Sequence, residues 1–255
     1  MDKRLTFTFK TDISKMKISA ELNNPFGPDI PEIAQLAAQE FQQLIISESQ
    51  GLEQDFLLEK GKMFGVLVVQ NEEGIYGYLV AVSGKLPTNI ANDQFIPSVF
   101  VASTEDFFIY KGMNELSKMS RKIKEMDEQS EIIELMEQRK QKSIALQQKL
   151  FENYRFLNQL GVEKNVLQIF KRSSHGNPPV AAGECAAPKL LHYAFKNQLK
   201  PIALAEFWWG SSSENKIKKH RAFYLACKNR CRPILEYMLD DKELFNQANL
   251  DLYNK

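Results

Sequence analysis

The pattern of apolar and polar positions divides this chain into segments of different period. Residues 1–19, "MDKRLTFTFKTDISKMKIS", alternate apolar and polar side chains and hold no apolar run of the signal-peptide kind. "NNPFGPDIPE" is a Pro/Gly loop. Behind Pro31, the positions Ile33, Leu36, Ala37, Glu40, Phe41 and Leu44 keep helical spacing, which predicts an amphipathic helix over "PEIAQLAAQEFQQLIISES". Two β-rich runs, Met63–Val69 and Ile75–Val82, flank "QNEEG" and predict a β-hairpin. "KLPTNIANDQFIPSVFVAS" reads as a loop broken by Pro87 and Pro97.

From Met113 to Leu160 there is no Gly or Pro, and the composition shifts to Lys, Glu, Gln, Met and Leu. Met113, Leu116, Met119, Ile123 and Met126 keep a heptad-like rhythm. It slips at "DEQSEIIELM", where Asp127 or Ser130 is a candidate cap. One long helix and a helical hairpin both fit. The simple expectation is a solvated, coiled-coil-like arm on its own partner helix; an RNA or protein clamp is the more specific one. "EKNVLQIFKR" predicts a short helix. "ECAAPKLLHYAFKNQ" predicts another, with Pro188 tolerable only in its first turn, which places Cys185 at its N-terminus. Ile202–Trp208 reads as a buried strand, "GSSSENKIKKH" as a polar, basic loop, and "CKNRCRPILEYMLDD" as a last helix with Pro233 at or near its start. The expected architecture is an α/β domain of residues 1–112 and 161–255, with a helical arm, 113–160, inserted. The hairpin and the later strand should share one sheet, with helices packed on it.

Composition narrows the function. The 255 residues are 44% hydrophobic and 25% charged, with a net charge of +1, so no global field draws the chain to nucleic acid. Any such role needs a local patch. No stretch approaches the ~18 apolar residues of a membrane span, and the cytoplasm is the expected compartment. Three cysteines are too few for a disulfide scaffold, and in a reducing compartment clustered thiols point to metal or chemistry.

Cys185 at a helix start sits in positive backbone potential, which favours the thiolate. Cys227 and Cys231, at i and i+4, share one helix face. Three thiolates with a histidine or water make a tetrahedral zinc set, and His220 or His175 is the candidate fourth ligand. His192 lies too far along its helix. The alternative is three inert core thiols. Convergence is expected from a right-handed crossover that would place both helix starts at one sheet edge.

The order helix, hairpin, helix opening with a ligand-type residue, strand, then two cysteines opening a helix is similar to that of zinc-dependent cytidine deaminases. Their signature is H-x-E…P-C-x-x-C. By that resemblance Cys185 replaces the histidine, Ala187 stands at the glutamate position and Ala226 at the proline, and the last spacing is one residue longer. Glu184 and Glu206 are the nearby acids left as candidate catalytic groups. The resemblance implies a deaminase-like, three-layer sheet-and-helix domain.

Five further segments, "NPFGPDIPEIAQLAAQEFQ", "LVAVSGKLPTN…FIPSVF", "LFENYRFLNQLGVEKNVLQIF", "PPVAAGECAAPKLLHYAFKNQLKPIALAEFWWG" and "KKHRAFYLACKNRCRPILEYML", cover most of the chain from Asn24 to Leu239. In this order they resemble the N-terminal extension on a subset of bacterial RluA-type RNA pseudouridine synthases. That family's isomerase lies in a separate, later domain with an H-R-L-D-x-x-T-S-G type motif, which this sequence lacks. The resemblance implies an accessory module that works on rRNA or tRNA beside a pseudouridine synthase catalytic domain, as part of a longer chain or as a stand-alone relative.

The residues around the last cysteines suit RNA. Lys216, Lys218, Lys219, Arg221, Lys228, Arg230 and Arg232 occur with no acid among them from Asn215 to Arg232, interleaved with Phe223 and Tyr224. Cations neutralise phosphate and rings stack bases. Trp208 and Trp209 alternate faces on a strand, so one of them can leave the core. The simple alternative is a solvated loop beside packed aromatic residues.

Overall fold

The computed structural model describes residues 6–48, 59–84, 94–100, 107–171, 173, 176–212 and 218–239. In chain order its elements are helix α1 (Glu32–Glu48), strands β1 (Lys62–Gln70) and β2 (Tyr76–Val82), helices α2 (Phe107–Glu125) and α3 (Gln129–Asn153), strands β3 (Arg155–Leu157) and β4 (Glu163–Asn165), helices α4 (Val166–Phe170) and α5 (Ala186–Lys196), strands β5 (Lys200–Trp209) and β6 (Phe223–Tyr224), and helix α6 (Lys228–Leu239).

The hairpin forms where the sequence placed it. β1 and β2 pair antiparallel from Phe64↔Val82 to Gln70↔Tyr76. The Asn71 side-chain oxygen accepts from the N–H groups of Glu73 and Ile75 and closes the turn. β5 joins β1 antiparallel, and β6 joins β5, giving one four-stranded sheet in the order β2-β1-β5-β6. α1 covers one face of this sheet through Ile33, Ala34, Ala37, Ala38 and Phe41, against Phe64, Val66 and Val68. α5 covers the other face, against Leu67, Val69, Leu79 and Leu204, and α6 packs beside α5. β1 reads as an almost unbroken apolar run because both of its faces are covered. The fold is therefore mixed α/β, an antiparallel sheet with helices on it.

Gly65 lets α5 approach the sheet closely. A Cβ there would lie 2.8 Å from the Ala186 Cβ and 3.0 Å from Leu190 Cδ1. Glycine on the strand and alanine on the helix thus press the start of α5 onto β1. The small residues of "GECAAP" are a packing requirement.

The Lys/Glu-rich segment is an antiparallel helix pair. Leu146 of α3 packs at Gly112 of α2, Lys142 reaches Glu115 at 3.1 Å, and Arg139 Nε donates to Ser120 Oγ at 2.7 Å. Neither Asp127 nor Ser130 caps α3. Glu128 holds the N-cap position without a side-chain cap bond, and the Ser130 hydroxyl donates to the Glu128 carboxylate instead. The helix ends at Asn153, before Leu160, because the aromatic residues Tyr154 and Phe156 leave it to enter the core, and Phe156 opens a small sheet with β4. Pro233 also departs from expectation. It lies inside α6, buried, where its missing N–H leaves the Asn229 carbonyl without its helical donor. Among the described residues no helix is long and apolar enough to cross a membrane.

Candidate metal and nucleic-acid site

Cys185 is the N-cap of α5, in extended conformation at φ −72, ψ 157. Cys227 immediately precedes α6: its carbonyl accepts from the Cys231 N–H at 3.0 Å, and its sulfur accepts from the backbone N–H groups of Asn229 and Arg230. Cys231 follows one turn on, fully buried. The three sulfurs all lie within 4.8 Å of one another. Sulfurs held tetrahedrally at ~2.3 Å from a zinc ion stand ~3.8 Å apart, so small side-chain rotations close the set around a metal.

The sequence expected this meeting from a crossover connection, and the sheet contains one. β2 and β5 both run antiparallel to β1 and so run parallel to each other, and the connection from β2 through the helices to β5 is a crossover of the kind that the crossover rule describes. The meeting comes from register at Glu206. Glu206 pairs with Gly65 on one side, where the start of α5 is pressed against β1. It pairs with Tyr224 on the other, three residues before Cys227. One strand position thus fixes both helix starts.

The charge distribution also differs from expectation. Cys227, not Cys185, carries the depressed thiol. The Cys185 thiol, then Cys231 and the helix N–H groups, donate to its sulfur and hold it far below the ordinary range. Cys185 is pushed up, first by its bond to Cys227, and Cys231 is pushed up by burial.

Of the predicted histidines, His220 does not join it. His220 Nδ1 accepts from the Gly210 N–H at 2.9 Å and its ring packs on Trp209 at 4.5 Å. His175 lies outside the described residues. His192 Nδ1 accepts from the Leu157 N–H. The cluster therefore offers three protein donors among the described residues, and two of them, Cys185 and Cys227, line a cleft.

The two candidate acids have different surroundings. Glu184 is committed to structure: its carboxylate meets Lys189 Nζ at 2.8 Å and accepts from the Ser98 and Tyr154 hydroxyls. Burial pushes its carboxyl up, but Lys189 and these donors outweigh burial and hold it below the ordinary range. Glu206 is buried at 6% exposure, and its Oε1 accepts one backbone bond, from the Ala187 N–H at 3.2 Å. Burial and then the Cys227 charge push it up to about 7, against the Ala187 N–H and Lys218. It lies in the cleft wall with Cys185 and Cys227.

That cleft has a volume of about 740 Å³ and brings together Lys62, Trp208, Lys218, Tyr224, Lys228 and Arg230 with the two cysteines. The other basic candidates go elsewhere. Arg221 Nε donates to Gln42 on α1, and Arg232 pairs with Glu236 at 2.8 Å and lies over Phe26. The exposed Lys219 gives its backbone N–H to the Tyr224 hydroxyl, and Lys216 lies outside the described residues. The tryptophans divide as their alternation allows: Trp209 is buried at 1% exposure and Trp208 lines the cleft. Lys62, ending the hairpin next to the cleft, is the basic residue that sequence reasoning missed. Its signal is the pairing Lys62↔Trp209, which only the sheet register reveals.

No protein-family profile, curated protein or solved structure matches this chain.

Proposed function

We propose that this chain is a zinc-holding, RNA-associated module of the kind that extends RluA-type pseudouridine synthases. It seats rRNA or tRNA in the cleft for uridine isomerisation by a domain that this chain does not contain. The observation that carries the reading is that the three-cysteine cluster and the basic, aromatic wall open on the same cleft. The two helix starts facing across a β2-β1-β5 sheet support a deaminase-like ancestry of the scaffold. The donor set fits zinc: three sulfurs within 4.8 Å of one another, with Cys185 and Cys227 lining the cleft.

The placement of the cations supports an anionic ligand. Lys228 and Arg230 occupy the first turn of α6, where the helix dipole disfavours positive charge, and no acid accompanies them. Thiolates and a phosphate chain relieve that conflict. The double reversal Lys228→Glu, Arg230→Glu should therefore leave folding intact, since acids suit a helix start. It should weaken single-stranded RNA binding at least about tenfold and flatten the salt dependence by roughly 0.7 for each phosphate that the variant no longer neutralises. If the wild-type chain is not retained on RNA at low salt, the RNA reading is wrong.

Glu206 favours a second reading, a zinc-dependent hydrolase of the deaminase type acting on a base or nucleotide. Zinc at such a site supplies a Lewis acid that activates water. The carboxyl of Glu206 stands beside the cluster and is pushed up to about 7, in the range of a group that both takes and gives a proton. Glu206→Gln keeps an oxygen for the Ala187 N–H and removes the proton carrier. On this reading it leaves zinc content unchanged and lowers ammonia release from cytidine, adenosine or a single-stranded RNA by about 10²–10⁴-fold. Zinc-loaded wild-type protein that releases no ammonia from any of them rejects the hydrolase.

A further inference from the structure

We infer that Trp208 and Tyr224 form a clamp for one unpaired nucleobase, which enters when the Lys218 ammonium now covering both rings moves out toward the neighbouring phosphate. The inference rests on the RNA reading above and gives it a ligand group and a position.

Sheet register puts both rings on one face. Glu206 pairs with Tyr224, and the Trp208 N–H donates to the Ala222 carbonyl at 3.0 Å while the Trp208 carbonyl accepts from the Arg221 N–H. Trp208 and Tyr224 are thus diagonal neighbours across β5 and β6, on the face that carries Glu206. Lys218 Nζ sits 4.8 Å from the Trp208 ring centroid and 4.7 Å from that of Tyr224. The centroids can be no further apart than the sum of those distances. A base stacked between two rings needs a centroid separation of ~6.8 Å, twice the stacking spacing, which lies inside that limit.

Both rings are held in place before any ligand arrives. Trp208 Nε1 donates to the Ser211 carbonyl at 3.0 Å. Its ring lies over Gly61 so closely that a Cβ there would come within 2.3 Å of it, and Gly61 has φ +59, which also favours glycine. The Tyr224 hydroxyl accepts from the Lys219 N–H at 2.7 Å. Fixed aromatic faces lose little freedom when a base stacks on them.

The same faces suit a quaternary ammonium, as in methyl-lysine cages. The rim decides between the two. Lys62, Lys228 and Arg230 surround the clamp, and the acid in the wall, Glu206, is buried. A cationic peptide is repelled there, whereas a nucleotide brings its own phosphate to the cations. Stacking on a π face is also tolerant of base identity, so the clamp takes an unpaired nucleotide without reading its sequence. The site lies beside Cys185 and Cys227, so the held base is presented to the three-sulfur centre.

The test compares a 12-nucleotide oligoadenylate with an abasic strand of the same length and charge, using the full chain loaded with zinc. Base stacking predicts that wild type prefers the base-bearing strand by about tenfold or more. Trp208→Leu and Tyr224→Leu should each remove that preference, while Tyr224→Phe, which keeps the ring, retains it. A strand carrying 5-bromouridine should photo-crosslink to the peptides holding Trp208 or Tyr224, a readout that needs no variant to fold. Equal affinity for the two strands in wild type, crosslinks confined to other peptides, or tighter binding of a trimethyl-lysine peptide overturns the clamp while RNA binding stands. Failure to retain either strand at low salt overturns the RNA reading itself.

Discussion

Cys231→Ala should abolish stoichiometric zinc. Protein purified without chelator is expected to carry one zinc per wild-type chain and well below a tenth of that in the variant. Cys231 is fully buried, so the metal-free fold loses only a small packing contribution, on the order of 1 kcal/mol. The metal-bound state loses one of three sulfur donors and with it most of the binding free energy, about 10–16 kcal/mol for a complete structural zinc site. Because zinc binds the native state and not an assembled site in the unfolded chain, that loss appears as stability. Wild type should melt well above the variant without chelator, and within a few degrees of it with chelator present. Cys185→Ala should behave alike, since its sulfur is the contribution of α5 to the cluster. Wild-type zinc well below one per chain, or melting indifferent to chelator, rejects the metal centre and leaves three packed thiols.

Several elements were legible in the sequence because a local pattern specifies them. The hairpin follows from β-rich runs around a turn in which Asn71 supplies the bonds. The start of α5 at Cys185 follows from Pro188, which fits only a first turn. The i, i+4 spacing of Cys227 and Cys231 needed only a helix to become one face. Long-range register was not legible. Nothing near Glu206 in sequence shows that it pairs with Gly65 and Tyr224 together, yet this pairing joins the helix starts. The site of the negative charge was hidden for the same reason. Cys185 and Cys227 both occupy helix starts, and only the packed structure shows which sulfur collects the donors. Composition alone also did not show that Arg221 bonds Gln42 on α1 or that Arg232 pairs with Glu236 one turn along α6.

Lys189→Met should cost about 3–5 kcal/mol at neutral pH, because it leaves a buried carboxylate without its cation. Lys189 is 2% exposed, and no apolar or basic pattern in "APKLLHYAF" marks it as a core residue. Its ammonium donates to the Val82 and Gly84 carbonyls at 3.2 and 2.9 Å and meets Glu184 at 2.8 Å. The Glu184 carbonyl in turn accepts from the Gly84 N–H at 2.8 Å. These bonds fasten the end of β2 to the residue before Cys185, so the lysine sets where the first thiol stands. The pH dependence has a definite sign. Glu184 is held below its ordinary value near 4.5, so the stability from this pair is present above that value and is lost as pH falls through the depressed one. In Lys189→Met burial acts on the carboxyl without the lysine to oppose it. Glu184 then takes up a proton at higher pH than in wild type, and acid relieves the unpaired charge. The stability gap should accordingly be widest near pH 7 and shrink toward pH 4. Glu184→Gln, Lys189→Met together should recover part of the loss at pH 7, since the amide carries no charge to strand. Denaturant unfolding with chelator present, at both pH values, separates this effect from zinc linkage. A gap under about 1 kcal/mol at pH 7, or one that does not change with pH, shows that the pair is a solvated contact and that the position of Cys185 is fixed by Gly65 and Ala186 alone.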